Sequence, residues 1–230
     1  MSITTLVAST SDIHVVIAAF NEAKVIRGVV GEVAAQGYAV VVVDDGSRDD
    51  TAASARMPGV TVLRHAVNLG QGAALQTGIE YAVRRGARHI VTFDADGQHS
   101  CADIPELVAA LATHDVALGS RFLGKPVVGA SRGRRILLRS ATALSNRMSG
   151  MTLTDAHCGL RAFRASAAPA LGITQNRMAH ASELLRKIRT SGLRVVEVPV
   201  TVRYTEHSMR KGQGGLQAIR ILFDYFFRPS

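Results

Sequence analysis

Asp94 and Asp96 stand two positions apart, just after the apolar run 90–93, and Gln98 continues the same alternation. In extended chain, positions i and i+2 point to the same side, so two carboxylates at this spacing can share one cation or its hydration shell. Gln98 adds a neutral amide oxygen. Oxygen donors of this kind suit a hard divalent ion, Mg²⁺ or Mn²⁺, typically held by one or two carboxylates and completed by substrate phosphate. An Asp-x-Asp triplet alone is a weak signal. Two further polar clusters, Asn21-Glu22 and Asp44-Asp45-Gly46-Ser47, close other apolar runs. A structural reading makes Asp45 and Asp49 turn or helix-cap residues, and for Asp49 it is the preferred one.

The elements that must gather these clusters are legible around them. Segments 14–19, 39–44, 60–63, 89–94 and 116–119 are short, Val/Ile-rich and bounded by polar or glycine positions, which predicts strands. Segments 23–35, 49–56, 72–85 and 103–112 predict helices between and after them. Val40, Val41, Val42 and Val43 form a continuous apolar run, the pattern of a strand buried on both faces of a parallel sheet. The βαβα rhythm predicts a doubly wound α/β sheet, whose ligands bind outside the carboxyl ends of its strands. All three polar clusters fall at such ends.

The second half is less regular. Segment 122–133, rich in Gly and Arg, reads as irregular and mobile. A helix is predicted over 135–148, a loop over 154–159, a short strand over 160–163 and a helix over 179–191. Segment 194–204 alternates like a strand in which Pro199 points to an edge or bulge, and 212–227 predicts a last helix. No repeat and no second-domain boundary is visible, so 1–230 reads as one domain.

The motifs Ile17-Ala18-Ala19-Phe20-Asn21-Glu22, Val42-Val43-Asp44-Asp45-Gly46-Ser47, Asn68-Leu69-Gly70-Gln71-Gly72 and Phe93-Asp94-Ala95-Asp96-Gly97-Gln98-His99 occur in that order. They continue through Gly119-Ser120-Arg121, Gly159-Leu160-Arg161 and Glu197-Val198-Pro199-Val200 to Lys211-Gly212-Gln213. As an ordered set, spanning about residues 13–223, they resemble the family 2 glycosyltransferases of the GT-A fold, in the branch that includes dolichol-phosphate mannose synthase. The stretch Asn176-Arg177-Met178-Ala179-His180-Ala181-Ser182-Glu183 resembles a bacterial subgroup associated with envelope polysaccharides. The resemblance implies a single GT-A domain, Rossmann-like, with a mostly parallel sheet and helices on both faces. It implies that 1–120 binds a nucleotide sugar and that 121–230 binds the acceptor, with a C-terminal amphipathic helix. Asp45 is then expected to contact the nucleotide base, Phe20 and Glu22 to line its pocket, and Asp94, Asp96 and Gln98 to hold Mg²⁺ or Mn²⁺ on the diphosphate. Ala18 departs from the family, which usually has Pro there.

The implied activity is inverting, metal-dependent transfer of a hexose from a UDP- or GDP-sugar to a polyprenyl phosphate of the undecaprenyl or dolichyl type, for cell-envelope glycan synthesis. Expelling a nucleoside diphosphate develops charge that a bridging cation neutralises. Arg203 and Lys211 are candidates to close over the same phosphates. A phosphate-monoester acceptor is largely anionic near neutral pH, its second pKa being about 6, so it needs cationic forks rather than a strong base. Arg121 matches the family position facing that phosphate. Arg135 is the choice within Arg132-Gly133-Arg134-Arg135, and Arg161 is either structural or acceptor-facing. Catalytic weight thus falls on Asp94, Asp96, Arg121 and Lys211. A glycan or glycolipid hydroxyl as acceptor would instead require a carboxylate base, Asp155 or Glu183. His99, His157 and His180 read as hydrogen-bonded structural residues. Cys158 and His157, adjacent in extended chain, point apart.

Composition agrees with this class and excludes others. The chain of 230 residues is 47% apolar and 20% charged, which excludes intrinsic disorder. Twenty-seven Lys and Arg against eighteen Asp and Glu give a net charge of +9, consistent with an anionic partner. Aromatic residues at 5%, not interleaved with the basic ones, argue against nucleic acid. Cys101 and Cys158 are the only cysteines, which excludes a disulfide scaffold and fits a reducing compartment. The first twelve residues carry no basic stretch ahead of an apolar one, which predicts no secretory signal, and no apolar run approaches the roughly 18 residues of a membrane span. A cytoplasmic protein, peripheral on the inner face of the cell membrane, is expected. Leu216, Ile219 and Phe223 would lie on one face of the last helix, against the core or in the membrane surface.

Overall fold

The computed structural model describes residues 9–125, 127–129, 131–175 and 179–204. The expected helix 212–227 and Lys211 lie outside these residues. In chain order the elements are β1 Ile13–Ala19, α1 Ile26–Ala34, β2 Ala39–Asp44, α2 Thr51–Ala55, β3 Val60–Arg64, α3 Gln71–Arg84, β4 His89–Asp94, α4 Ile104–Ala110 and β5 Val116–Ser120. There follow β6 Val127–Val128, α5 Arg132–Ser149, β7 Arg161–Arg164, α6 Ala168–Leu171, α7 Ala179–Thr190, β8 Val195–Pro199 and β9 Val202–Arg203.

Seven strands form one sheet in the order β3-β2-β1-β4-β7-β5-β8, and β6 pairs with β9 in a small second sheet. Every pairing in the large sheet is parallel except those of β7, which runs antiparallel to both β4 and β5. The central strands are buried almost throughout, and successive residues feed opposite cores as a two-sided sheet requires. Val15 and Ile17 of β1 join one core with Ile26, Val30 and Leu107 from α1 and α4. Val16 between them joins the opposite core with Leu75, Ile79, Leu184 and Leu185 from α3 and α7. The mostly parallel sheet with helices on both faces is the architecture expected above.

The differences have local causes. Helix α1 starts at Ile26 rather than at residue 23, because the Glu22 carbonyl first closes a turn by accepting from the N–H groups of Val25 and Ile26. Helix α5 starts three residues before its expected position, where the Ser131 hydroxyl caps it by accepting from the Arg134 N–H at 3.2 Å. Segment 122–133, expected to be irregular, contains β6 and the opening of that helix. Pro199 does end an edge strand, β8, where its missing N–H costs no ladder bond.

Because β7 opposes its neighbours, its N-terminal end lies at the carboxyl end of β4. The 154–160 segment is thereby delivered beside Asp94: Thr92 Oγ1 donates to the Gly159 carbonyl at 2.8 Å.

Candidate active site

Four loops meet at the carboxyl ends of β1, β2 and β4. Asn21 takes a left-handed φ of 53°. Its N–H donates to Ser47 Oγ at 2.9 Å and its amide oxygen accepts from the Arg48 N–H at 3.0 Å. Glu22, buried, donates its N–H to Thr51 Oγ1 at 2.8 Å. Asp49 acts as a turn residue: its carboxylate accepts from the N–H groups of Thr51 at 3.1 Å and Ala23 at 3.2 Å. Phe20 is exposed on the rim.

Asp45 has a task here that the sequence does not announce. Only 2% exposed, it accepts from the N–H groups of Leu69 at 2.9 Å and Gly70 at 2.7 Å, and pairs with His65 Nδ1 at 2.8 Å. Its oxygens face the turn that opens α3. Gly46 completes this packing. Its φ is +68°, and a side chain there would meet the backbone of Val67 and Asn68 at 2.5–2.9 Å.

Asp94 and Asp96 close β4. His99 Nε2 pairs with Asp94 Oδ2 at 3.0 Å, and the His99 ring stands edge-on to Phe93. Gly159 lies so close that a Cβ there would overlap both carboxylate oxygens of Asp94. Burial pushes the Asp94 carboxyl upward, but the hydrogen bond and charge of His99, with Arg161 and Arg121 nearby, hold it below the ordinary value. Burial, reinforced by the Asp94 charge, pushes Asp96 the other way. The Gln98 N–H donates to Asp96 Oδ1 at 3.0 Å, and its side-chain amide also bonds that carboxylate. A like-charged carboxylate pair with an adjacent amide is a fitting oxygen donor set for Mg²⁺ or Mn²⁺. Among the described residues no group of three or more His, Cys, Asp or Glu side chains is placed to hold a metal ion.

Cations collect across Asp94 from the loops that follow β1 and β2. Arg121, buried, bonds Asp155 Oδ2 through Nε at 2.5 Å and donates from Nη1 to Tyr204 Oη at 2.9 Å. Burial disfavours its charge, but Asp155 prevails and lifts the guanidinium above its ordinary value. Asp155 is itself set by Glu197 of β8, which accepts from the Asp155 N–H at 3.0 Å and the Thr154 hydroxyl at 2.8 Å. Arg161, also buried, donates from Nε to the Cys158 carbonyl at 2.9 Å, and burial lowers its guanidinium. Arg135 is exposed on α5; its neighbour Arg134 turns inward, with Cζ 4.4 Å from the Tyr204 ring centroid. Arg203, exposed, donates its N–H to the Gln98 carbonyl at 2.9 Å, which brings β9 against the Asp96 loop.

Both carboxylates considered as bases are engaged. Asp155 is 2% exposed and paired with Arg121. Glu183 binds Thr174, Gln175 and Lys187, the last at 2.8 Å. Burial opposes its ionisation, yet those bonds bring its carboxyl down to about 2. Burial pushes the Cys158 thiol up to about 12, so it is inert, and His157 bonds Ser145 Oγ at 3.2 Å. His65, Arg134, Gly159, Glu197 and Tyr204 are the site residues that carried no role in the sequence reading. Gly159 and Glu197 lay within quoted motifs and Arg134 within the quoted basic cluster, whereas His65 and Tyr204 lay in none.

The model of the family described as Glycosyl transferase family 2 matches residues 14–172. An uncharacterized protein of Methanocaldococcus jannaschii is 38% identical over 92% of this chain and 90% of its own. The UDP-N-acetylglucosamine–dolichyl-phosphate N-acetylglucosaminyltransferase of Methanococcus voltae is 30% identical over 92% of this chain and 93% of its own. The undecaprenyl-phosphate mannosyltransferase of Micrococcus luteus is 32% identical over 77% and 76%. Among solved structures, glucosyl-3-phosphoglycerate synthase from Mycobacterium tuberculosis, in complex with Mn²⁺, UDP-glucose and phosphoglyceric acid, superposes with a TM-score of 0.67. It is 21% identical, over 95% of this chain and 80% of that one, a likeness of fold.

Proposed function

On the premise that this chain belongs to glycosyl transferase family 2 and is a glycosyltransferase of the GT-A fold, we propose that it moves a hexose from a UDP- or GDP-sugar to a polyprenyl phosphate, with inversion and with Mg²⁺ or Mn²⁺. One observation carries the acceptor class. Beyond Asp94 stand the buried guanidinium groups of Arg121 and Arg161, while the carboxylates that could serve as a base, Asp155 and Glu183, are already bonded.

The chemistry follows from these groups. Asp94, Asp96 and Gln98 would hold the ion, which when bound offsets the charge developing on the departing diphosphate. His99 and Gly159 fix the Asp94 carboxylate on one bearing. Phe20 and the Asp45-anchored turn at Leu69 and Gly70 shape the side that receives the nucleotide. Arg121, with Arg134, receives the acceptor phosphate, whose oxygen is nucleophilic without a base because its second pKa is about 6. The exposed Arg203, with Lys211, which lies outside the described residues, is assigned to the donor phosphates.

Helix α5 supports action at a membrane surface. It exposes Ile136 at 66%, Leu137 at 40% and Met148 at 39% among Arg135, Arg139 and Arg147, with no acidic residue in the helix. Among the described residues no helix is long and apolar enough to cross a membrane. A peripheral enzyme on the cytoplasmic face, working in cell-envelope glycan synthesis, is consistent with this surface.

The test is transfer from radiolabelled UDP- and GDP-hexoses to undecaprenyl and dolichyl phosphates, with Mg²⁺, Mn²⁺ or EDTA. A labelled lipid that requires the divalent ion is expected. Label appearing only on a glycan or glycolipid hydroxyl would overturn the acceptor assignment, and full turnover in EDTA would overturn the metal assignment.

A further inference from the structure

We propose that Tyr204 is the positioning residue of the acceptor side, fixing from one side chain the two guanidinium groups that meet the incoming phosphate. The proposal rests on the acceptor reading given above and adds to it a residue that reading does not need.

Tyr204 is buried, and its N–H donates to the Val128 carbonyl at 2.9 Å, which ties it to the β6 strand. Gly129 packs on its backbone, where a side chain would come within 3.0 Å of the Tyr204 carbonyl. The ring therefore has a fixed seat. Its hydroxyl accepts from Arg121 Nη1 at 2.9 Å, while its face carries the Arg134 guanidinium at 4.4 Å. Two like charges are thus held at one phenol.

They are held differently. Arg121 is balanced by Asp155 at 2.5 Å, but among the described residues no carboxylate forms an ion pair with Arg134. Stacking on a ring offsets part of a cation's desolvation without neutralising it, so Arg134 keeps its charge for an anion from outside. The Arg121 guanidinium offers five N–H donors, of which Nε and one at Nη1 are spoken for. A phosphate monoester, carrying nearly two charges, matches the remaining donors and the second cation. Tyr204 also follows directly on Arg203, whose N–H holds the Gln98 carbonyl, so the residue that contacts both arginines adjoins the strand tied to the Asp96 loop.

The experiment compares Tyr204→Phe, which keeps the ring and loses the bond to Arg121, with Tyr204→Leu, which loses both contacts. KM for polyprenyl phosphate and for the donor are measured separately, with thermal unfolding as the check on folding. Tyr204→Phe is expected to raise the acceptor KM roughly tenfold, the scale of a hydrogen bond to a charged group. Tyr204→Leu should raise it about threefold further through the lost stacking. The donor KM and kcat at saturating acceptor should stay within roughly twofold, since uniform binding is lost and not transition-state contact. An unchanged acceptor KM in a folded Tyr204→Phe enzyme, or a donor KM that rises equally, overturns the proposal. Tyr204→Phe alone decides it should the Leu variant fail to fold. Wild-type enzyme that makes no lipid-linked product would instead overturn the acceptor reading itself, and the role of Tyr204 with it.

Discussion

Asp94 is clamped before any ligand arrives, by His99 on one oxygen and by the bare Cα of Gly159 against both. A methyl group at Gly159 must push the carboxylate off its bearing. Gly159→Ala is therefore expected to weaken Mn²⁺-dependent nucleotide binding at least about tenfold by calorimetry, which corresponds to losing one charge-assisted contact. Asp96 behaves differently. Burial and the Asp94 charge both disfavour its ionisation, so removing its charge relieves repulsion. Asp96→Asn should abolish transfer while melting, in metal-free buffer, no lower than the wild type; a clear drop in melting temperature would contradict that electrostatic account. Glu183 sets an acid limit. Its folded pKa of about 2 lies below the ordinary carboxylate value, so it contributes stability that is complete above the unfolded value and is lost as pH falls toward 2. Glu183→Gln should cost about 1–3 kcal/mol at neutral pH and flatten the fall in stability between about pH 4 and 2.

At the scale of elements, α3 lies on β1 and β2 because Gly78 leaves no side chain between them. A Cβ there would overlap Val16 and come within 3.2 Å of Val43. Gly78→Ala is expected to destabilise by about 1–3 kcal/mol through overpacking. Gly28 of α1 is the control. Nothing lies within 4 Å of its would-be Cβ, so Gly28→Ala should be neutral or stabilising by up to ~1 kcal/mol. Denaturant midpoints of the two variants decide the matter. The strands that end at the acidic clusters were legible because a doubly buried strand must be a continuous apolar run, and 39–44 and 89–94 agree to the residue. The place of β7 was not legible, since its apolar pattern is the same whichever way it runs and whichever neighbours it joins. Two-residue strands such as β6 and β9 have no period to read. Arg135 was preferred to Arg134 on the resemblance of the basic cluster to the family's helix start, a likeness that does not distinguish adjacent arginines. In the structure Arg134 carries the contact with Tyr204, while Arg135 is exposed. For Asp45, the residues that satisfy it, Leu69 and Gly70, lie more than twenty positions away, beyond any local pattern.

Over the whole molecule, the net charge of +9 gives α5 a favourable field toward an anionic surface. Binding to vesicles containing anionic lipid should weaken as salt rises past about 0.15 M, where the Debye length is near 8 Å. The double variant Ile136→Glu, Leu137→Glu should lower vesicle co-sedimentation without lowering the unfolding temperature, since both side chains are exposed. Unchanged sedimentation would remove α5 from the membrane contact. The antiparallel strand β7 has a last consequence, for biosynthesis. It is translated after β5 yet seats itself between β4 and β5, so the growing chain cannot zip its sheet in the order in which it emerges. Until Arg164 has left the ribosome, β4 presents a raw flank of unmet N–H and C=O groups, an invitation to neighbouring nascent chains. Nor can the gene be cut between the two halves to yield a self-sufficient N-terminal fragment, because the missing slat belongs to the later half.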